Sequence, residues 1–172
     1  MPREATRILL SAAAGLLALP LAARADDPPA IDHQPSPCTV PEKTIALCAM
    51  VSDDSRVATA RIYFRRAGED FYQYVDMAFT GVSHCGTLPG PREGKMRAVE
   101  YYLQAVDDQF QTTRTSTFSL NVQPEGVCEF PPLADPSKAA AIKVFATNRK
   151  QGRKLDSAFV DTGVTFVAVQ SR

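Results

Sequence analysis

The 172-residue sequence contains no tryptophan and only two histidines, His33 and His84. Lack of tryptophan speaks against a carbohydrate-binding module built on flat stacking platforms. Neither histidine is spaced as a ligand and the four cysteines include no CxxC pair, so the spacing of a zinc site is missing. No G-x-S-x-G, H-E-x-x-H, Gly-rich phosphate loop or EF-hand loop occurs, so hydrolase, zinc-protease, nucleotide and EF-hand readings lack their motifs. Ser83 and His84 are adjacent and would face opposite ways on a strand, so they make no nucleophile–base pair. An excess of charge is also missing. Lys+Arg is 19 and Asp+Glu is 19, which argues against nucleic-acid binding driven by bulk charge. With 45% apolar residues, disorder is excluded as the main state.

The only long apolar run lies at the start. Arg3 and Arg7 precede an Ile/Leu/Ala-rich run over 8–23, broken by Pro20, and Ala23-Arg24-Ala25 follows. That pattern predicts a secretory signal peptide, residues 1–25, cleaved after Ala25. The apolar stretch is too short and interrupted for a good membrane span, and no later run is long enough for one. The expected destination is the periplasm or the exterior. There Cys38, Cys48, Cys85 and Cys128, with no CxxC pair among them, predict two structural disulfides.

Residues 26–43 hold five prolines and are expected to be an extended leader. From residue 44 the pattern has period 2. Ile45, Leu47, Ala49 and Val51 alternate with other residues. Ala58, Ala60, Ile62 and Phe64 alternate with Thr59, Arg61, Tyr63 and Arg65. Val99, Tyr101, Leu103 and Ala105 alternate with Ala98, Glu100, Tyr102 and Gln104. Strands are expected at 44–51, 57–65, 71–77, 81–88, 97–106 and 113–122, separated by turn signals. The fold class is therefore all-β, an antiparallel sandwich. The runs V-S-D-D-S-R-V-A-T-A-R-I-Y-F-R (51–65) and V-E-Y-Y-L-Q-A-V-D-D (99–108) resemble those of bacterial immunoglobulin-like and fibronectin type III-like modules. The resemblance covers roughly 44–122. It implies an immunoglobulin-like β-sandwich and says little of function. The Tyr101 strand has no cysteine, so the intersheet disulfide of antibody domains has no counterpart. In such a module the strands 44–51 and 81–88 are neighbours. That implies Cys48–Cys85, with Cys38–Cys128 closing one end. The sequential pairs Cys38–Cys48 and Cys85–Cys128 stay open.

A Pro-rich linker is expected at 123–140, then a hairpin-like β extension over 141–172 with strands at 142–147 and 164–169. Between them stand Arg149, Lys150, Arg153 and Lys154. Residues 133–172 carry seven basic and three acidic residues, net +4, whereas 26–132 carry nine and fifteen, net −6. Charge runs of this kind are commonly solvated surface. The sharper reading is contact with an anionic partner: an envelope polymer, an acidic protein face or a lipid headgroup surface.

Asp53, Asp54, Asp107 and Asp108 fall in loops that correspond to the B–C and F–G loops of such modules, at one end of the sandwich. Aspartates cap turns well, and four together also suit Ca²⁺, which wants several carboxylate oxygens. Acid/base catalysis would need a cleft across a substrate, and none is indicated. Tyr63, Tyr72, Tyr74 and Tyr102 are expected on the outer face or edge, in cross-strand packing or ligand contact. The expected function is an exported, non-catalytic binding or structural accessory module. Its partner is an unknown protein or envelope polymer, and it has no required cofactor. The alternative is a Ca²⁺- or glycan-binding module that uses the acidic tip.

Overall fold

A computed structural model describes residues 26–135, 141–151 and 154–170. The expected signal peptide lies outside the described residues. Among them no α-helix occurs, only one 3₁₀ turn at Arg149–Gln151. Among the described residues no helix is long and apolar enough to cross a membrane.

Two sheets face each other. The smaller holds β1 (Ala30–Asp32), β3 (Ile45–Ser52), β7 (His84–Leu88) and β6 (Ala78–Phe79), in that order and all antiparallel. The larger runs β12 (Val164–Val167), β11 (Ile142–Ala146), β5 (Gln73–Asp76), β4 (Val57–Arg66), β8 (Ala98–Asp107), β10 (Phe118–Val122) and β2 (Cys38–Thr39), and β9 (Thr112–Arg114) also pairs with β8. The period-2 pattern sets which faces meet. Ile45 and Leu47 from β3, Ile62 and Phe64 from β4, and Val99, Tyr101 and Leu103 from β8 are all buried. They join Leu88, Leu120, Val144 and Phe159 in one core. The all-β sandwich read from the alternation is the fold.

Three segments differ from their sequence reading. Residues 26–43 are not a leader. Ala30–Asp32 pairs with β3 and Cys38–Thr39 pairs in parallel with β10. Thr39 and Val40 are buried. The prolines flank these short edge strands rather than interrupt them, as a missing N–H requires. The stretch 123–135 is not a free linker either. Ala46 N–H donates to Pro132 O and Ala134 N–H donates to Thr44 O, at 2.7 and 3.0 Å, so this segment lines β3. Finally, β11 and β12 are parallel, which no hairpin allows. β11 adds antiparallel to β5, and the chain between β11 and β12 crosses the end of the sandwich. Smaller shifts follow the same physics. The expected strand 113–122 splits into β9 and β10, and 81–88 starts only at His84.

Cys48 and Cys85 stand directly opposite on β3 and β7 and are bonded, with Cα atoms 4.1 Å apart. The bond staples neighbours within one sheet. Cys38 and Cys128 form the second bond, buried with Val40. The sequential pairing is not present. Two disulfides fit a non-reducing compartment outside the cytoplasm. Gly90 fits where no other residue does, since a Cβ there would stand 2.5 Å from the carbonyl oxygen of Lys43.

Candidate functional site

Two charged sites form at opposite ends of β4. At its start lies the acidic tip, built from the β3–β4 loop and the β8–β9 turn. Asp53 Oδ1 accepts from the Ser55 N–H and Oγ, at 2.9 and 2.6 Å. Asp107 Oδ1 accepts from the N–H groups of Gln109 and Gln111, both at 2.8 Å. Each is the turn-capping geometry that aspartate favours. The cap also holds the exposed Phe110 at φ 66°, a left-handed conformation that bulky residues rarely adopt.

Capping uses only half of each carboxylate. Asp107 is wholly buried, and among the described residues its Oδ2 has no hydrogen-bond partner. The same holds for Oδ2 of Asp53 and of a third residue, Asp26. One oxygen from each of Asp26, Asp53 and Asp107 lies within 4.8 Å of the others. Asp26 is fixed by Gln109 Nε2, which donates to its Oδ1, and by Gln111 Nε2, which donates to its carbonyl, both at 2.7 Å. Burial first, and then the charges of Asp107, Asp54 and Asp53, hold the Asp26 carboxyl above its ordinary range. Of the four aspartates expected here, the structure brings together Asp53 and Asp107. Asp54 is exposed, and Asp108 pairs with Arg56 at 3.5 Å. Asp26 was missed because it sits in the segment expected to be a leader, and no local signal ties it to loops so distant in sequence.

At the far end of β4 lies the basic cleft, of about 530 Å³, lined by Arg65, Arg66, Gln73, Lys150 and Lys154 together with Glu69 and Asp156. The crossover that follows β11 closes it. Gln151 Nε2 donates to Tyr72 O at 2.7 Å, and Gln151 Oε1 accepts from Thr147 N–H at 2.7 Å. These bonds hold the 3₁₀ turn over the approach to β5. Arg65 is engaged by Glu100 at 2.7 Å, and Arg66 by Glu69 and Asp156. Lys150 and Lys154 are exposed and make no ion pair among the described residues. Gln73 is buried, and its Oε1 has no partner among the described residues. Arg149 is exposed outside the cleft lining, and Arg153 lies outside the described residues.

The outer face of the large sheet carries Tyr63, Tyr74 and Tyr102, whereas Tyr101 lies in the core. Tyr102, Tyr63, Tyr74 and Phe145 form one cross-strand row over β8, β4, β5 and β11. Tyr63 stacks on Tyr102 with ring centroids 4.8 Å apart, and Tyr74 on Phe145 at 4.9 Å. Arg114 covers Tyr102 at 3.5 Å and Arg61 covers Tyr74 at 4.6 Å. The stacked ring faces of Tyr63, Tyr74 and Tyr102 are thus spent largely on each other, on Phe145 and on guanidinium groups. Burial lifts the phenols of Tyr74 and Tyr102 above their usual range, with Arg61 and Arg114 pulling each back.

Both histidines are engaged in packing. His33 Nδ1 lies 2.8 Å from Cys48 O, and Nε2 lies 2.8 Å from Tyr101 Oη. A carbonyl only accepts, so in the neutral ring Nδ1 carries the proton and Nε2 accepts from the phenol. Burial pushes that phenol far above its ordinary range. His84 packs against Phe79.

No protein-family model matches the chain, and no curated protein matches it significantly.

Proposed function

We propose that this protein is an exported, non-catalytic binding module of immunoglobulin-like or fibronectin type III-like type, whose basic cleft takes an anionic group of an envelope polymer. The cleft carries the reading. Two lysines without an ion pair among the described residues stand at a concavity whose arginines are already oriented by carboxylates. An array of this kind favours a carboxylate or phosphate ligand through several charge-assisted hydrogen bonds. The module type is supported by the strand partition, with β3 beside β7 in one sheet and β5-β4-β8-β10 in the other. Export is supported by the basic, apolar and small-residue pattern of residues 1–25 and by the two disulfides. The non-catalytic reading is supported by the missing nucleophile motifs and by His33, whose two ring nitrogens are engaged by Cys48 O and Tyr101 Oη.

The test is retention of the purified protein on a polyuronate column. Retention is expected at an ionic strength of about 0.1 M. It is expected to vanish near 1 M, where the screening length shrinks from about 10 Å to about 3 Å. Lys150→Ala/Lys154→Ala is expected to elute early with an unchanged melting curve, since both side chains are exposed. Retention that ignores both salt and the double substitution contradicts the proposal, and equal retention on a neutral polymer does the same.

A further inference from the structure

We propose that Asp26, Asp53 and Asp107 form a binding site for a hard divalent cation, Ca²⁺, at the acidic tip of the sandwich. Clustered acids alone do not make a site. The distinguishing observation is Asp107, a wholly buried side chain whose Oδ1 takes two backbone N–H groups while Oδ2 has no donor. A buried carboxylate oxygen without a donor is costly, and here two further ones, from Asp26 and Asp53, share the condition.

Three anionic oxygens so placed repel one another unless a proton or a cation intervenes. Ca²⁺ fits the geometry and the chemistry. Its oxygen ligands sit about 2.3–2.6 Å from the metal, so oxygens on opposite sides of one ion lie up to about 5 Å apart. The 4.8 Å bound on the triad falls inside that span. All donors are oxygens, which disfavours softer metals. Each carboxylate is also held before the ion arrives. Gln109 Nε2 fixes Asp26, Ser55 fixes Asp53, and the turn N–H groups fix Asp107. The triad supplies charge −3 to a +2 ion, and water or carbonyl oxygens complete a coordination shell of six to eight. Bound there, the ion ties the start of the described chain to the β3–β4 loop and the β8–β9 turn.

This site is independent of the basic cleft. The ten residues of β4 separate the two by roughly 30 Å, at about 3.3 Å per residue. The experiment is calorimetric titration and thermal melting of the disulfide-intact protein, stripped with EDTA and then given CaCl₂ or MgCl₂. We expect one Ca²⁺ per chain, with a dissociation constant on the order of 0.1–1 mM as in extracellular modules, a raised melting temperature, and a weaker response to Mg²⁺. Asp26→Asn is expected to weaken binding at least about tenfold while it keeps the acceptors that Gln109 and Gln111 use. Asp53→Asn gives a second loss if Asp107→Asn fails to fold. Asp108→Asn, outside the triad, should bind as the parent does. No heat and no melting shift at millimolar Ca²⁺ overturns the site. The charge of the triad then falls to a proton, or to the α-ammonium that cleavage after Ala25 would create on Asp26. A response that survives both Asp26→Asn and Asp53→Asn overturns it as well.

Discussion

Replacing Cys38 and Cys128 together with alanine is expected to lower stability by about 4–5 kcal/mol, the chain-entropy value for so long a loop. The bond joins residues 90 apart. Cys48–Cys85 spans 37, and the same relation gives about 4 kcal/mol. The first loss has the wider consequence. Cys38 begins β2, an edge strand of two residues with a parallel partner. Cys128 sits in a segment rich in proline whose backbone bonds reach the start of β3 and, through Gln123 N–H to Thr39 O at 2.9 Å, the end of β2. Without the bridge, β2 and residues 123–135 keep the Gln123–Thr39 and Ser36–Phe130 hydrogen bonds but lose their covalent anchor, and the small cluster around Val40 opens to water. Denaturant melts of the double variant against the parent measure this. A loss under about 1 kcal/mol would mean that the two segments are held by other contacts.

Phe159→Ala is expected to cost about 3–5 kcal/mol, the range for emptying an aromatic site in a core. Phe159 comes from the crossover between β11 and β12, and it is 1% exposed. Its ring meets Phe64 of β4 edge-on, with centroids 5.2 Å apart. Backbone bonds fix the segment on both sides. Arg92 N–H donates to Ala158 O and Val160 N–H donates to Gly90 O, each at 2.8 Å. The crossover is therefore a plug in the sandwich end, and residues 154–157, which line the basic cleft, hang from it. Retention on the polyuronate column should fall along with stability. A cost below about 1 kcal/mol would make residues 141–170 an appendage with its own stability.

The central strands were legible because one physical signal sufficed for each. Ile45, Leu47 and Ala49, or Val99, Tyr101 and Leu103, must face a core once alternation sets the face. The Arg61, Tyr63, Arg65 stripe on the outer face was legible for the same reason. Edges were not. β1 and β2 together hold few apolar residues amid prolines, and they exist because β3 and β10 offer open backbone partners. The strands β11 and β12 were visible as β-branched runs, but their parallel relation is not. It depends on where the crossover packs, and Phe159 decides that through a residue nearly a hundred positions away. The acidic tip was half legible. Asp53 and Asp107 are turn aspartates by local pattern, whereas Asp26 joins them only through tertiary contacts with Gln109 and Gln111. In the basic run, Lys150 and Lys154 needed Arg65, Arg66 and Gln73 from strands far back in the chain to become a cleft.

The two charged sites share one dependence: both ends of the chain must be sewn into the same pair of sheets. The N-terminal segment then carries Asp26 to the tip, and the C-terminal segment carries the lysines to the opposite end. Peptide mapping of the purified protein under non-reducing conditions probes that stitching most directly. Peptides joined through Cys38–Cys128 and Cys48–Cys85 are the predicted result. Peptides joined through Cys38–Cys48 and Cys85–Cys128, or four free thiols, would contradict it.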